Sequence, residues 1–317
     1  MAHKKLGIIN DKNIPISKPL NRTSMFEPIQ ARHRNNTIDQ SNSLLFKDKN
    51  FKLSMYGNKL NHTYDYPLLA LIIKHWLNSR VKEVETQKVK VTLSEIYNIL
   101  NLTFDKTKDK NYIPIESSIL RLHGANMRLE TKKVKIKEWS SLINNPKMVF
   151  GEFGYIEVEI GNVLNKLYKD IFSIQHLESS FIDLNQITSV RSESTRALMK
   201  FFMSQSKSFI DFKFGLLCKV LGYDKRDIKE RKKREYIKDS LKELVNIGYL
   251  TTFETRDAEQ LTKLAKWEQI RIIPAKLTQD QSKANELLIS LESNFKDIKN
   301  YYRSKKVAEE FNDEIPF

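Results

Sequence analysis

A single cysteine, Cys218, stands among 317 residues, which excludes a disulfide framework and a cysteine-rich zinc site. Glycine is equally sparse. The nine glycines form no phosphate-cradling loop and no dinucleotide fingerprint, so a nucleotide-driven motor is not expected. Gly151 and Gly154 flank Glu152-Phe153 and read as a hairpin turn. Long apolar runs are missing too. Leu68 to Leu77 is broken by Lys74 and His75 and is too short to span a bilayer. Met1-Ala2-His3-Lys4-Lys5 opens no stretch of signal-peptide length, and the expected location is cytoplasmic.

Catalytic constellations are lacking as well. The six histidines are His3, His33, His62, His75, His123 and His176. None forms the His-x-His metal pair of a rolling-circle nicking enzyme or the His-x-x-Arg of a tyrosine recombinase. The carboxylates are scattered rather than grouped for two-metal chemistry. The expectation is a protein that is not an enzyme, with no cofactor and no metal.

What the chain has in excess is positive charge. Lys and Arg number 54 against 39 Asp and Glu, a net charge of +15. That excess suits a polyanionic partner, either nucleic acid or an anionic membrane surface; the alternative is a solvated basic surface. Forty per cent of the residues are hydrophobic, enough for real cores, and the length fits two domains or one large one.

Residues 1–24, with Pro15 and Pro19, read as a flexible N-terminal arm. Phe51 to Tyr56 alternates as a strand, and Tyr66 to Asn78 carries Leu68, Leu69, Ile72, Ile73, Trp76 and Leu77 at helical spacing. Val89-Lys90-Val91 is a brief strand, after which Thr92 and Glu95 form a capping box. A further helix starts near Pro114 and presents Ile115, Ile119 and Leu122. Met127 to Ile136 and Tyr155 to Ile160 read as a two-stranded hairpin, separated by a turn at Asn144-Asn145-Pro146. Helix, strand, helix, helix, hairpin is the order of a winged helix, whose third helix is the expected DNA reader.

The order then repeats. Ile187 to Phe202 marks one long helix, Phe209-Ile210 an extended piece, and Asp211 the cap of a helix closed by Gly222. A basic helix over 226–246 ends at Gly248, and Tyr249 to Phe253 and Trp267 to Ile273 make a second wing. An offset of 122 residues carries Ser118 onto Ser240, Ile119 onto Leu241, Leu122 onto Leu244 and Met127 onto Tyr249. The expected fold is mainly α with small β-hairpins (α+β), as tandem winged-helix domains. The first spans 25–170, the second 171–277, and a C-terminal helix and tail occupy 278–317.

Between Lys225 and Lys238, eight basic residues (225, 226, 229, 231, 232, 233, 234, 238) meet three acidic ones (227, 230, 235). Cations at a helix start oppose the macrodipole. Phosphate neutralisation explains the cluster; a solvated charge run is the alternative. With Ile237, Leu241, Leu244 and Val245 inward, Lys232, Glu235, Asp239, Lys242 and Asn246 face out. Such a mixed face permits base reading; an ordinary solvated face with i,i+4 pairs is the alternative. The candidate DNA contacts in this half are Arg231, Lys232, Lys233, Arg234, Glu235, Lys238, Asp239, Lys242 and Asn246. In the first half they are Ser117 and Arg121 on the reader helix, with Lys132, Lys133 and Lys135 on its wing. Arg121 is the guanine candidate; an Arg packed against its own wing is the alternative.

Several segments, taken together, resemble the TrfA-type plasmid replication initiators, within the group of iteron-binding proteins with two winged helices. Ser24-Met25-Phe26-Glu27-Pro28-Ile29 is similar to that family's N-terminal Ser-x-Leu-Phe segment. Tyr56-Gly57 with Leu60 resembles its Tyr-Gly-x-x-Leu stretch, and Ser118-Ile119-Leu120-Arg121-Leu122 its Ser-Leu-x-Arg-Leu helix. Ser194 to Leu198, Leu221-Gly222-Tyr223 and Gly248-Tyr249-Leu250 follow its second winged helix. Asn42-Ser43-Leu44-Leu45-Phe46 matches only the last two positions of its sliding-clamp motif. The resemblance implies binding to directly repeated sites (iterons) at a plasmid origin, melting of adjacent AT-rich DNA, and loading of the host replicative helicase with help from the host initiator. It also implies homodimers that repress their own gene or restrain copy number. The rival readings are a winged-helix transcriptional repressor without a replication role and, from another class, a nicking or recombining enzyme.

Overall fold

The computed structural model describes residues 9–17, 20–21, 25–26, 28, 37–47, 51–81, 88–102, 112–131, 137–151, 153–173, 179–205, 210–224, 226–257 and 267–274. Within these the fold is α+β, with helices packed on small antiparallel sheets.

The central element is α1 (Asp65–Val81), apolar on nearly every side and buried accordingly: Tyr66, Leu68, Leu69, Ile72, Ile73, Trp76 and Leu77 are all in the core. A helix without a polar face must be surrounded. Its start is set by Asn61, whose side-chain oxygen accepts from the backbone N–H groups of Thr63 and Tyr64 at 3.0 and 2.8 Å. β4 (Lys88–Thr92) follows, and Thr92 caps α2 (Leu93–Leu100) by accepting from the Glu95 N–H, as its capping-box spacing predicts. The helix ends on Asn101 in the left-handed region, at φ 52°. α3 (Tyr112–Gly124) completes a three-helix unit.

The wing of this unit is not the predicted one. β5 (Ala125–Thr131) pairs with β6 (Lys137–Ser141) and, on its other edge, with β3 (Phe51–Asn58), which pairs in turn with β2 (Thr37–Lys47). The strand that joins β4 and β8 (Tyr155–Ile160) in a three-stranded sheet is β7 (Ile143–Val149). A hairpin is therefore inserted between α3 and the wing, and it ends the constant offset between the two copies before Met127. Asn144-Asn145-Pro146 is not a turn. It is an irregularity within β7, where the register shifts and Asn145 takes φ 47°. The reversal comes at Gly151–Gly154 as expected, with Gly151 at φ 112°.

Gly57 sits where β3 meets the end of α3. Its φ is 103°, and a Cβ there would lie 2.1 Å from the Gly124 carbonyl oxygen. Gly57→Ala should destabilise by about 1–3 kcal/mol from the dihedral alone, with the collision adding to it; urea unfolding of the variant measures the loss.

The expected loose arm is instead partly built into the core. β1 (Ile14–Ser17) pairs with β9 (Ser179–Ile182), Ile9, Ile14 and Ile16 are buried, and the Tyr168 hydroxyl of α4 (Asn162–Ser173) donates to the Pro15 carbonyl at 3.1 Å. Alternating isoleucines, Ile14 and Ile16, outweigh the prolines as a structural signal.

The second half shows the winged-helix arrangement plainly. The predicted long helix is two, α5 (Leu184–Ser189) and α6 (Glu193–Met203), each with its own N-cap, Asp183 and Ser192. β10 (Ile210–Lys213), α7 (Phe214–Val220), α8 (Glu230–Asn246), β11 (Leu250–Asp257) and β12 (Trp267–Pro274) follow, with sheet order β10-β12-β11. Asp211 does not cap α7. It lies in β10, and its carboxylate takes both donors of Arg271 on β12 at 2.8 Å each. Gly222 and Gly248, at φ 64° and 73°, stop α7 and α8 as anticipated. The predicted helix over 279–302 lies outside the described residues.

The two halves meet over a polar junction. Arg196 of α6 donates to the carbonyls of Val190 (2.6 Å), Thr188 (3.0 Å) and His62 (3.2 Å), so one guanidinium ties the start of the second unit to the loop before α1. The Thr63 hydroxyl meets the Glu193 carboxylate beside it. Below lies Lys200, 1% exposed, with its amine 5.2 Å from the ring centres of both Phe26 and Tyr66. Burial pulls that amine down to about 7, and burial and the Lys200 charge together hold His62 well below the usual imidazole range.

Candidate nucleic-acid interface

α8 is the third helix of the second unit, and its local sequence divides it into two faces. Arg234, Ile237, Ser240, Leu241 and Leu244 recur at intervals of three and four and are buried. Arg231, Lys232, Glu235, Asp239, Lys242 and Asn246 are exposed, and Lys233 and Lys238 are half-buried. The outward face predicted from the sequence is therefore the outward face observed. It also carries a residue that periodicity alone passed over: Tyr236, four residues after Lys232, is 40% exposed, with the Lys232 amine 5.5 Å above its ring. Its i,i+4 relation to Lys232 was the available signal.

The electrostatics of the first turns are lopsided. Lys229, Arg231 and Lys232 are exposed around the N-terminal end, where Glu230 is an exposed acidic residue. Lys232 approaches Glu235 at 4.0 Å, but both side chains are more than half exposed, so solvent screens the pair and it contributes little to stability. No side chain caps the helix start at Lys229.

Arg234 is the exception among the candidate contacts. It falls three residues before Ile237, on the inward stripe, and is therefore not placed as the DNA contact expected of it. Its guanidinium lies 3.9 Å from the centre of the Phe214 ring and donates to Glu230 at 2.5 Å. It staples α8 to α7.

The first unit presents a different surface. Arg121 is the only Lys or Arg in α3, and it does not face outward. It follows Ser118 by three residues, adjoins Leu122, and so shares their edge against α1. There its Nε and Nη2 donate to both oxygens of Asp65 at 2.8–3.1 Å, while the Ser118 hydroxyl donates to the same carboxylate at 2.7 Å. Asp65 is completely buried. Desolvation raises its pKa, and the Arg121, Ser118 and Asn61 contacts oppose that rise. The expected guanine reader is thus half of a buried ion pair, and its partner is α1 rather than the wing. What α3 exposes is Ile113, Glu116, Leu120 and His123, with Ser117 half-buried. The wing lysines Lys132, Lys133 and Lys135 lie outside the described residues; they fall between β5 and β6, not in the β7–β8 wing.

Among the described residues no group of His, Cys, Asp or Glu is arranged to hold a metal ion. Cys218 is buried, and burial pushes its thiol up to about 11, the opposite of an activated nucleophile. No helix among the described residues is long and apolar enough to cross a membrane.

No family model matches the chain, and no curated protein matches it. Among solved structures, the fold is similar to domains 2 and 3 of RctB, with a TM-score of 0.48 and 11% identity over 81% of this chain and 97% of that one. It is also similar to the Pi initiator protein, solved in complex with iteron DNA, with a TM-score of 0.43 and 11% identity over 71% of this chain and 98% of that one. Element order and strand pairing, apart from either likeness, give each half its three helices and small antiparallel sheet.

Proposed function

We propose that this chain is a plasmid replication initiator that binds directly repeated duplex DNA at an origin, acts in the cytoplasm on the plasmid itself, and has no catalytic chemistry of its own. The observation that carries the reading is α8: the third helix of a winged-helix unit, exposing Lys229, Arg231, Lys232, Lys242 and Asn246 on one surface. A helix of that rank enters the major groove in winged-helix recognition. Cations at its start, unfavourable for an isolated helix, are stabilised when phosphates lie against them. Glu235, Asp239 and Asn246 on the same face give it acceptors for cytosine and a bidentate partner for adenine.

In this reading base recognition rests on α8, since α3 has no lysine or arginine on its exposed stripe. Melting of the adjacent duplex, recruitment of the host helicase and host initiator, and self-repression by dimers belong to the same proposal and follow from the family resemblance alone.

Replacing Lys232 and Lys233 by Ala should weaken duplex binding and flatten the dependence of log affinity on log salt by about 0.9 for every phosphate no longer neutralised. Anisotropy titrations of a duplex carrying the repeats beside the gene, at several salt concentrations, measure this. An unchanged slope would place both lysines in solvent and remove the support for α8 as the DNA-contacting helix.

A further inference from the structure

The inserted hairpin gives this protein a surface that a minimal winged helix lacks. β2, β3, β5 and β6 form a four-stranded antiparallel sheet. Across β3, β5 and β6, the residues that share its outer side follow from the register: Lys52 opposite Glu130, Ser54 opposite Arg128 and Trp139, Tyr56 opposite Asn126 and Ser141, with Ser54 covered and the larger side chains around it reaching water. The alternate residues Leu53, Met55, Met127 and Leu129 are buried and form the inner side.

On the outer side Trp139 is 47% exposed. The Tyr56 ring meets it edge-on at 5.2 Å, and the Arg128 guanidinium lies over the indole at 4.6 Å. Arg128 is held there by Glu130 at 2.7 Å, and Lys52 approaches the same carboxylate at 3.8 Å. Burial does not explain a tryptophan so open to water, because the core lies on the other side of the sheet. An apolar protein partner fits poorly, because it would strip water from Lys52, Glu130, Asn126 and Ser141 around a single indole. A chain of bases with a phosphate backbone fits better. Flat rings stack on exposed aromatics whatever their sequence, and Lys52 and Arg128 outnumber the one carboxylate, Glu130, that they share.

We propose that the outer face of this sheet, centred on Trp139, Tyr56 and Arg128, is a stacking platform for single-stranded DNA. The platform is separate from α8 and holds whether or not α8 reads duplex DNA.

The test uses the full-length chain and a fluorescein-labelled 15-mer oligodeoxythymidylate, followed by anisotropy at about 50 mM salt. Wild type should bind. Trp139→Ala should weaken binding by roughly 5- to 150-fold, the range for losing one base–aromatic stack, and Trp139→Phe should retain most of the affinity. Affinity for duplex DNA should be unchanged in Trp139→Ala, which also shows that the variant is folded. The Lys232/Lys233 double substitution should instead spare the oligothymidylate. The proposal is overturned if wild type does not bind the oligonucleotide or if Trp139→Ala binds it as well as wild type. It is overturned equally if the substitution only shifts the sedimentation of the protein, which would mark the face as a contact between two copies.

Discussion

Arg121→Ala should cost the fold about 3–5 kcal/mol, the range for removing one partner of a buried ion pair. Asp65 is completely buried, at the first position of the helix around which the first unit is built. Its two oxygens accept from Arg121, Ser118 and the Asn61 backbone N–H, at 2.7–3.1 Å. Without the guanidinium the carboxylate keeps two neutral donors, too few for a charge out of water. It then takes up a proton in the folded state more readily than in the unfolded chain. Stability of the variant should therefore fall as pH rises through the elevated pKa of Asp65 and recover as pH is lowered toward the ordinary carboxylate range. Asp65→Asn combined with Arg121→Met should regain most of the loss, because neither charge is left alone. Urea midpoints for the three proteins at pH 5 and pH 8 test this. A change of less than about 1 kcal/mol in Arg121→Ala would mean that Arg121 is free, as a base-reading side chain would be.

Lys200→Met should do the opposite and stabilise. The amine is sealed under Phe26 and Tyr66, and among the described residues it makes no hydrogen bond or ion pair. Its charge is felt by His62, whose imidazole it helps to hold neutral, and it lies against the Tyr66 ring. Burial lowers its pKa from 10.5 to about 7. At roughly 1.4 kcal/mol per pKa unit, this sets an upper bound of about 4–5 kcal/mol on the cost of the lysine at neutral pH. The sign follows from proton counts. Between pH 7 and 10.5 the unfolded chain binds the proton and the folded one does not, so stability of the wild type rises with pH across that window. Lys200→Met removes the effect, and its advantage should be largest at pH 7 and below and shrink toward pH 10. Urea midpoints at pH 6, 8 and 10 measure it; an advantage that does not vary with pH would show that Lys200 reaches water.

Helical periodicity located α1, α2, α3 and α8, because their buried side chains recur at three and four. The capping box at Thr92–Glu95 and the stops at Gly222 and Gly248 are local chemistry and needed no tertiary information. The α8 face was readable for the same reason: four apolar anchors fix its rotation, and the charged residues opposite them must face out. Arg121 and Arg234 were misplaced because each lies at the edge of an inward stripe, where a long side chain turns toward solvent or toward a buried partner. Only the partner decides, and Asp65 is 56 residues away in sequence from Arg121. Strand pairing was hidden for a similar reason. β5 has the alternation of a wing strand, but alternation does not say which strand it joins, and β3 and β6 compete successfully for its two edges. The segments that carry the family resemblance turn out to hold the fold together. Phe26 covers Lys200, Gly57 permits the approach to Gly124, Ser118 and Arg121 engage Asp65, and Arg196 ties the halves.

Hydroxyl-radical footprinting is the most direct test of whether α8 reads repeated duplex DNA. Wild-type protein and the Lys232/Lys233 double substitution would be compared by hydroxyl-radical footprinting across the DNA adjoining the gene, at a fixed salt concentration. The predicted result is a series of protected windows, recurring in one orientation at constant spacing, that fade together in the substituted protein while its fold is retained. Uniform cleavage with wild type, or windows that persist unchanged after both lysines are removed, would contradict it.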